Sequence, residues 1–210
     1  MSRVLYIQAS PRGPRSQSIK VADAFIAEYL QIHPQDSVEK LNVFDAYLPD
    51  FDGLAVQAKY TILHGREHTE NELRVWRNVE RVIEQFKSVD KYVLAVPMWN
   101  FNIPYRLKQY IDILIQPGYT FSYSQETGYK GLVVGKPLLA VYSRGGEYKS
   151  RSTTESLDLQ KRYIELIFRF IGFENIREVI IEPTLQAGPD VANARLEEAV
   201  KTAKEIAPVF

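Results

Sequence analysis

Val4-Leu5-Tyr6-Ile7, followed by Ser10-Pro11-Arg12-Gly13-Pro14-Arg15-Ser16-Gln17-Ser18 and then by Ile19 to Leu30, reads as strand, loop and helix. The first run is short, apolar and rich in strand formers. In the last, Val21, Ala22, Phe25, Ile26, Tyr29 and Leu30 recur at helical spacing until Pro34 stops them. The same alternation continues along the chain. Val38 to Phe44 is expected as a second strand, Tyr92 to Val96 as a third ended by Pro97, Pro137 to Tyr142 as a fourth and Ile176 to Ile181 as a fifth. Helices are expected at Ile103 to Ile115, with Pro104 in the first turn, at Leu157 to Ile171, closed by Gly172, and at Val191 to Ile206. Within Leu54 to Lys87 only the second half shows a helical face, marked by Leu73, Trp76, Val79, Val82, Ile83 and Phe86. Gly118 to Val134 suggests a small hairpin. Strand and helix alternating five times imply an α/β fold, a five-stranded parallel sheet with helices on both faces, whose ligands sit beyond the carboxyl ends of the strands.

The bulk numbers narrow the function classes. The 210 residues are 45% hydrophobic and 25% charged, an ordinary globular composition, and no linker, charge block or repeat divides them. One domain over 1–210 is expected. Lys+Arg and Asp+Glu both number 26, which gives no electrostatic reason for a nucleic-acid or anionic-membrane partner. The absence of cysteine removes thiol catalysis, disulfides and thiolate metal sites, and is compatible with a reducing cytoplasm. The apolar run before Gln8 is too short for a signal peptide, and no segment approaches the ~18 apolar residues of a membrane span. A soluble cytoplasmic protein is expected.

Three strand-end loops carry candidate chemistry. Ser10 to Ser18 leads straight into a helix, so the hydroxyls of Ser16 and Ser18 and the first-turn N–H groups can enclose a phosphate, with Arg12 and Arg15 adding charge. The loop fits neither the dinucleotide glycine pattern nor the P-loop; alternatively, Ser18 is only an N-cap. Pro97-Met98-Trp99-Asn100-Phe101 offers an apolar face and in-plane hydrogen bonds to a flat heteroaromatic ring, or else core residues beneath a turn. In Ser143-Arg144-Gly145-Gly146 the paired glycines permit close backbone approach or positive φ, and a plain turn needs the same residues. Two further patterns are weaker. His64-Gly65-Arg66-Glu67-His68 fits an inverted zinc-protease motif, but Gly65 weakens the helix it requires. Asp45, Asp50 and Asp52 suggest a Mg²⁺ cluster, but the first strand ends in Gln8, Ala9 and Ser10 rather than acids. No metal site is expected, and His33 beside Pro34 reads as a surface residue.

Taken in order and with their spacing, SPRGPRSQS, PMWNFNIPYRLKQYID, TFSY with a following GYKGL, SRGGEY and DLQKRYIELIFRFIGF resemble the FMN-dependent NADH-azoreductases. The resemblance spans essentially the whole chain and is weakest from Ala46 to Glu72. It implies a flavodoxin-like fold that binds FMN and reduces quinones and azo compounds with NADH or NADPH, by ping-pong hydride transfer through flavin N5. By the same resemblance Ser10, Ser16, Gln17 and Ser18 bind the FMN phosphate, Met98, Trp99, Asn100 and Phe101 line the isoalloxazine, and Ser143, Arg144, Gly145 and Gly146 close over its pyrimidine side. It implies no catalytic side chain, since the chemistry sits on the flavin. It also implies a homodimer whose partner completes each site, with helices 104–115 and 157–171 as candidate interface. The family commonly has Tyr where this chain has Trp99, which leaves substrate stacking and selectivity open. The rival functions are a flavodoxin-like electron carrier, which tends to be strongly acidic where this chain is neutral, and a phosphodiester hydrolase, for which no nucleophile–base pair lies near the phosphate loop.

Overall fold

The computed structural model describes residues 1–149 and 152–210. In chain order the strands are β1 (Arg3–Gln8), β2 (Ser37–Asn42), β3 (Lys91–Pro97), β4 (Phe121–Ser124), β5 (Gly128–Gly131), β6 (Leu138–Ser143) and β7 (Ile176–Ile181). The helices are α1 (Gln17–Ile32), α2 (Gly53–Leu63), α3 (Glu70–Lys87), α4 (Tyr105–Leu114), α5 (Leu159–Phe170) and α6 (Pro189–Ile206). Five strands form a parallel sheet in the order β2-β1-β3-β6-β7, and β4 and β5 form an antiparallel hairpin apart from it. Alternate residues of each strand face opposite sides. Val4, Tyr6, Val93, Ala95, Leu139 and Val141 share one core with Ala22 and Phe25 of α1 and Ala203 of α6. Leu5, Ile7, Leu94, Val96, Ala140 and Tyr142 share the other with Ile83 and Phe86 of α3, Leu107 of α4 and Phe168 of α5. Because β3 and β6 are covered on both faces, they read as unbroken apolar runs.

Several boundaries differ from the sequence reading, each for a local reason. The second strand stops at Asn42: the Val43 N–H still reaches the Gln8 carbonyl at 3.0 Å, but the Asn42 side chain accepts the Phe44 N–H at 3.0 Å and turns the chain there. Pro104 is the N-cap of α4, in extended conformation, and not a first-turn residue. The helix expected from Leu157 begins as α5 at Leu159, after a short 3-10 turn, with the Asp158 carboxylate capping the Lys161 N–H at 3.0 Å. Leu54 to Lys87 is two helices. Asp52 caps α2 through the N–H groups of Leu54 and Ala55, and Thr69 with Glu72 forms a capping box at the start of α3. The Thr69 N–H is the chief reason that the Glu72 carboxyl is held below its usual range.

Gly172 closes α5 as the sequence suggested. With φ +115 it lets the Phe173 N–H reach the Phe168 carbonyl (3.1 Å) and its own N–H reach Arg169 (3.0 Å), while the Phe168 and Phe173 rings pack at 5.2 Å. The hairpin rests on this helix end: Val133 N–H donates to the Ile171 carbonyl at 2.8 Å. Among the described residues no helix is long and apolar enough to cross a membrane.

Candidate functional site

The strand order reverses between β1 and β3, and the loops that leave their carboxyl ends flank the crevice where open α/β sheets take ligands. The first loop brings Ser10, Ser16 and Ser18 together as buried hydroxyls at the start of α1. Ser16 is the N-cap, yet its hydroxyl does not bond back to the first turn; it meets Ser18 Oγ at 3.1 Å instead. Two hydroxyls share that one bond, so one hydroxyl proton stays available. The α1 N-terminus therefore keeps its positive dipole end without a side-chain cap. Half-buried Gln17 adds an amide whose buried Oε1 has no partner and which can present either end to a ligand. This donor set fits a terminal phosphate. Arg12 and Arg15 stand exposed at the rim.

The second loop is unusual in its backbone. Trp99 and Asn102 exchange hydrogen bonds at 2.8 and 2.9 Å, and the two residues between them, Asn100 and Phe101, both have positive φ (47° and 67°). Such a tight turn ordinarily places glycine where Phe101 sits, and the non-glycine left-handed residue is strained by about 1–2 kcal/mol. Strain of this kind persists where the surroundings impose it, and here the Phe101 carbonyl is held by the Leu159 N–H at 3.0 Å. Phe101→Gly is therefore expected to leave thermal stability unchanged or raise it by up to about 1 kcal/mol, where an unstrained loop Phe would lose stability. A melting curve checks this.

The third loop begins one residue later than its motif. Ser143 is the last residue of β6 and Pro97 the last of β3, paired in register, with the Met98 N–H donating to the Ser143 carbonyl at 2.8 Å. The second and third loops are thus tied together. Gly145 and Gly146 take no positive φ; a Cβ there would lie 3.2 Å from Leu185 Cδ1 and 3.1 Å from Gln186 Oε1, so close packing explains the pair. Arg144 is different. Its guanidinium points into the protein, 1% exposed, against Asp158 and Glu182.

A cavity of about 1110 Å³ opens beside Trp99 and Asn100 and runs along α4 to Tyr163 and Ile167 of α5. It does not include the serine cup. Its aromatic wall is Trp99 with Tyr105, backed by Phe44 at ring separations of 5.7 and 5.8 Å. Lys59 of α2 also lines it, and burial pulls that ammonium below the usual lysine value despite the Asp112 carboxylate. Phe44, Lys59 and Tyr105 were not singled out from the sequence; each is a loop or helix residue whose placement depends on tertiary packing. His64 ends α2, Gly65 has φ +65, and His68 Nε2 meets the Ala58 carbonyl at 2.9 Å, so the histidine motif does not lie along one helix. Asp52 serves as a helix cap and Asp45 meets Asn42, so the aspartates are distributed among separate local tasks.

Residues 2–207 match the family described as flavodoxin-like fold. An FMN-dependent NADH:quinone oxidoreductase of Nitratidesulfovibrio vulgaris (strain DP4) is 51% identical over 210 residues, covering 100% of both chains. The chain belongs to this family. Another FMN-dependent NADH:quinone oxidoreductase, from Desulfotalea psychrophila, is 46% identical with 98% of each chain covered. Among solved structures, an azoreductase from Bacillus anthracis str. Sterne superposes with a TM-score of 0.91 at 31% identity over 100% of both chains. An FMN-dependent NADH-azoreductase from the Ames Ancestor strain, in complex with FMN, gives 0.86 at 30% identity, covering 99% of this chain and 100% of that one. In this quinone oxidoreductase family member, the loops that face the switch point are the ones whose donor chemistry suits a flavin mononucleotide.

Proposed function

We propose that residues 1–210 act as one FMN-binding unit that passes reducing equivalents from NADH or NADPH to quinones and azo compounds, in the cytoplasm and as a homodimer. The observation that carries this is the meeting of an uncapped α1 N-terminus and buried serine hydroxyls with the Trp99–Asn102 turn across the strand-order reversal. The names of the relatives support the activity. Bound FMN supplies a two-electron centre that takes hydride from a nicotinamide and returns it to an acceptor.

The chain's part is to hold and shield that group. Ser10, Ser16, Gln17 and Ser18 would hold the phosphate, Pro97 to Phe101 would meet the ring system, and Ser143, Gly145 and Gly146 would offer it backbone groups. The cavity beside Trp99 gives donor and acceptor one entrance, which they use in turn. Tyr105, Leu159 and Leu166 are large, exposed apolar residues on α4 and α5, which supports these helices as the dimer face.

The test is NADH and NADPH oxidation by the FMN-loaded protein with and without a quinone or azo dye. Oxidation that needs the acceptor, with parallel double-reciprocal lines, supports the proposal. A yellow protein that oxidises neither nicotinamide under any of these conditions is an electron carrier.

A further inference from the structure

Arg144 sits between the end of β6 and the glycine pair, and its side chain is turned away from the crevice. Nη2 lies 2.8 Å from the Asp158 carboxylate as a close ion pair without hydrogen-bond geometry, Nη1 donates to Glu182 at 3.2 Å, and Nε donates to Gln160 Oε1 at 3.0 Å. Gln160 is itself fully buried and donates its amide to the Val96 carbonyl at 3.0 Å. Tyr142 and Tyr148 lie 5.6 and 5.9 Å from the guanidinium carbon, a favourable setting for a desolvated guanidinium. One cation thus ties the ends of β3, β6 and β7 to the N-terminus of α5.

The charges do not balance. Asp158 and Glu182 are 9% and 12% exposed, and the Arg144 fork stands against both. Asp158 also accepts the Lys161 N–H on its other oxygen, and Glu182 Oε2 also accepts the Tyr148 N–H, so each carboxylate holds one backbone N–H besides its contact with Arg144. The cluster therefore sets two carboxylates against one guanidinium behind the Gly145-Gly146 turn.

We propose that Arg144 is a positioning residue which does not touch the flavin, and that its cluster with Asp158 and Glu182 sets the reduction potential of the bound ring. This rests on the FMN reading above. Hydride transfer moves two electrons and one proton from NADH to the ring, leaving NAD⁺ and a ring one charge more negative. An excess of carboxylate over guanidinium behind the loop that would meet the ring would oppose that added charge, the more so because the cluster is largely removed from water. Arg144 limits it by cancelling one of the two carboxylates.

The experiment measures the midpoint potential of the FMN-loaded protein by equilibration with a reference dye, alongside FMN affinity. Arg144→Gln is expected to lower the potential by about 30 mV or more, equivalent to tenfold weaker holding of the reduced relative to the oxidised flavin. Asp158→Asn, which retains a good N-cap, and Glu182→Gln, which retains an acceptor for Tyr148, are each expected to raise it. Arg144→Lys is expected to recover most of the loss. Opposite signs separate charge from mere loosening of the loops, which would drive all variants the same way. Should Arg144→Gln fail to fold, the two carboxylate variants still decide: potentials that stay put or fall in both overturn the inference. If the unaltered chain takes up no FMN, the proposed function fails and this inference falls with it; bound FMN with unmoved potentials removes the inference alone.

Discussion

Ser16→Ala combined with Ser18→Ala is expected to weaken FMN binding about a hundredfold or more while leaving the fold intact. Two hydroxyl contacts to a charged phosphate are worth about 1.5–3 kcal/mol each, and about 3 kcal/mol in total corresponds to two decades in Kd. The structure separates this effect from instability. Ser16 makes no side-chain cap, so its removal takes no capping bond from α1. The hydroxyls bond to one another, so deleting both leaves no orphaned partner, a change that is close to neutral when both members go together. Alanine is also a good helix former at position 18. Fluorescence titration of flavin against the apo-protein, beside a melting curve, checks both halves. A double variant with unaltered Kd would place the phosphate elsewhere.

The largest effect on stability is expected at Gly131→Ala. A Cβ built at Gly131 would stand 2.3 Å from the Gly172 nitrogen and 2.4 Å from the Ile171 carbonyl carbon. These are backbone atoms of the turn that closes α5, so no side chain can swing aside. Either β5 lifts from the helix end or the Gly172 turn opens. Overpacking of a tight site typically costs 1–3 kcal/mol and sometimes more, and with no relief available about 3 kcal/mol is expected, a fall in Tm of about 6–12 °C for a chain of this size. The contacts of Phe121 and Tyr129 with Phe170, at 4.9 and 5.5 Å, would loosen with the hairpin. Gly128→Ala is the comparison: its site is open but has φ +69, so only about 1 kcal/mol is expected. Equal melting temperatures for the two variants would show that the hairpin does not bear on α5 as described.

The sheet was legible from sequence because its central strands are covered twice. Leu94 and Val96 face one core while Val93 and Ala95 face the other, so β3 needs no alternation to be recognised. Helix α3 was legible through its apolar stripe ending in Val82, Ile83 and Phe86. Helix α2 was not: only Ala55 and Ala58 are buried, while Tyr60, Ile62 and Leu63 face outward, so no stripe exists to be read.

The candidate site was legible by residue type and not by geometry. Serines before a helix suggest a phosphate cup, but nothing local announces that Ser16 leaves the helix uncapped. Neither Asn100 nor Phe101 is glycine, so their positive φ was hidden. Arg144 reads as a loop cation; its inward turn depends on Asp158 and Glu182, which the fold alone brings to it. Side chains that act locally can be read from sequence, whereas those whose partners are distant along the chain need the assembled sheet.

A crystal structure of the chain reconstituted with FMN tests the site as a whole. The expected density puts the phosphate against Ser10, Ser16 and Ser18 at the start of α1, with the ring system between the Trp99–Asn102 turn and the Gly145-Gly146 backbone. FMN held elsewhere, or those loops empty at saturating FMN, would contradict it.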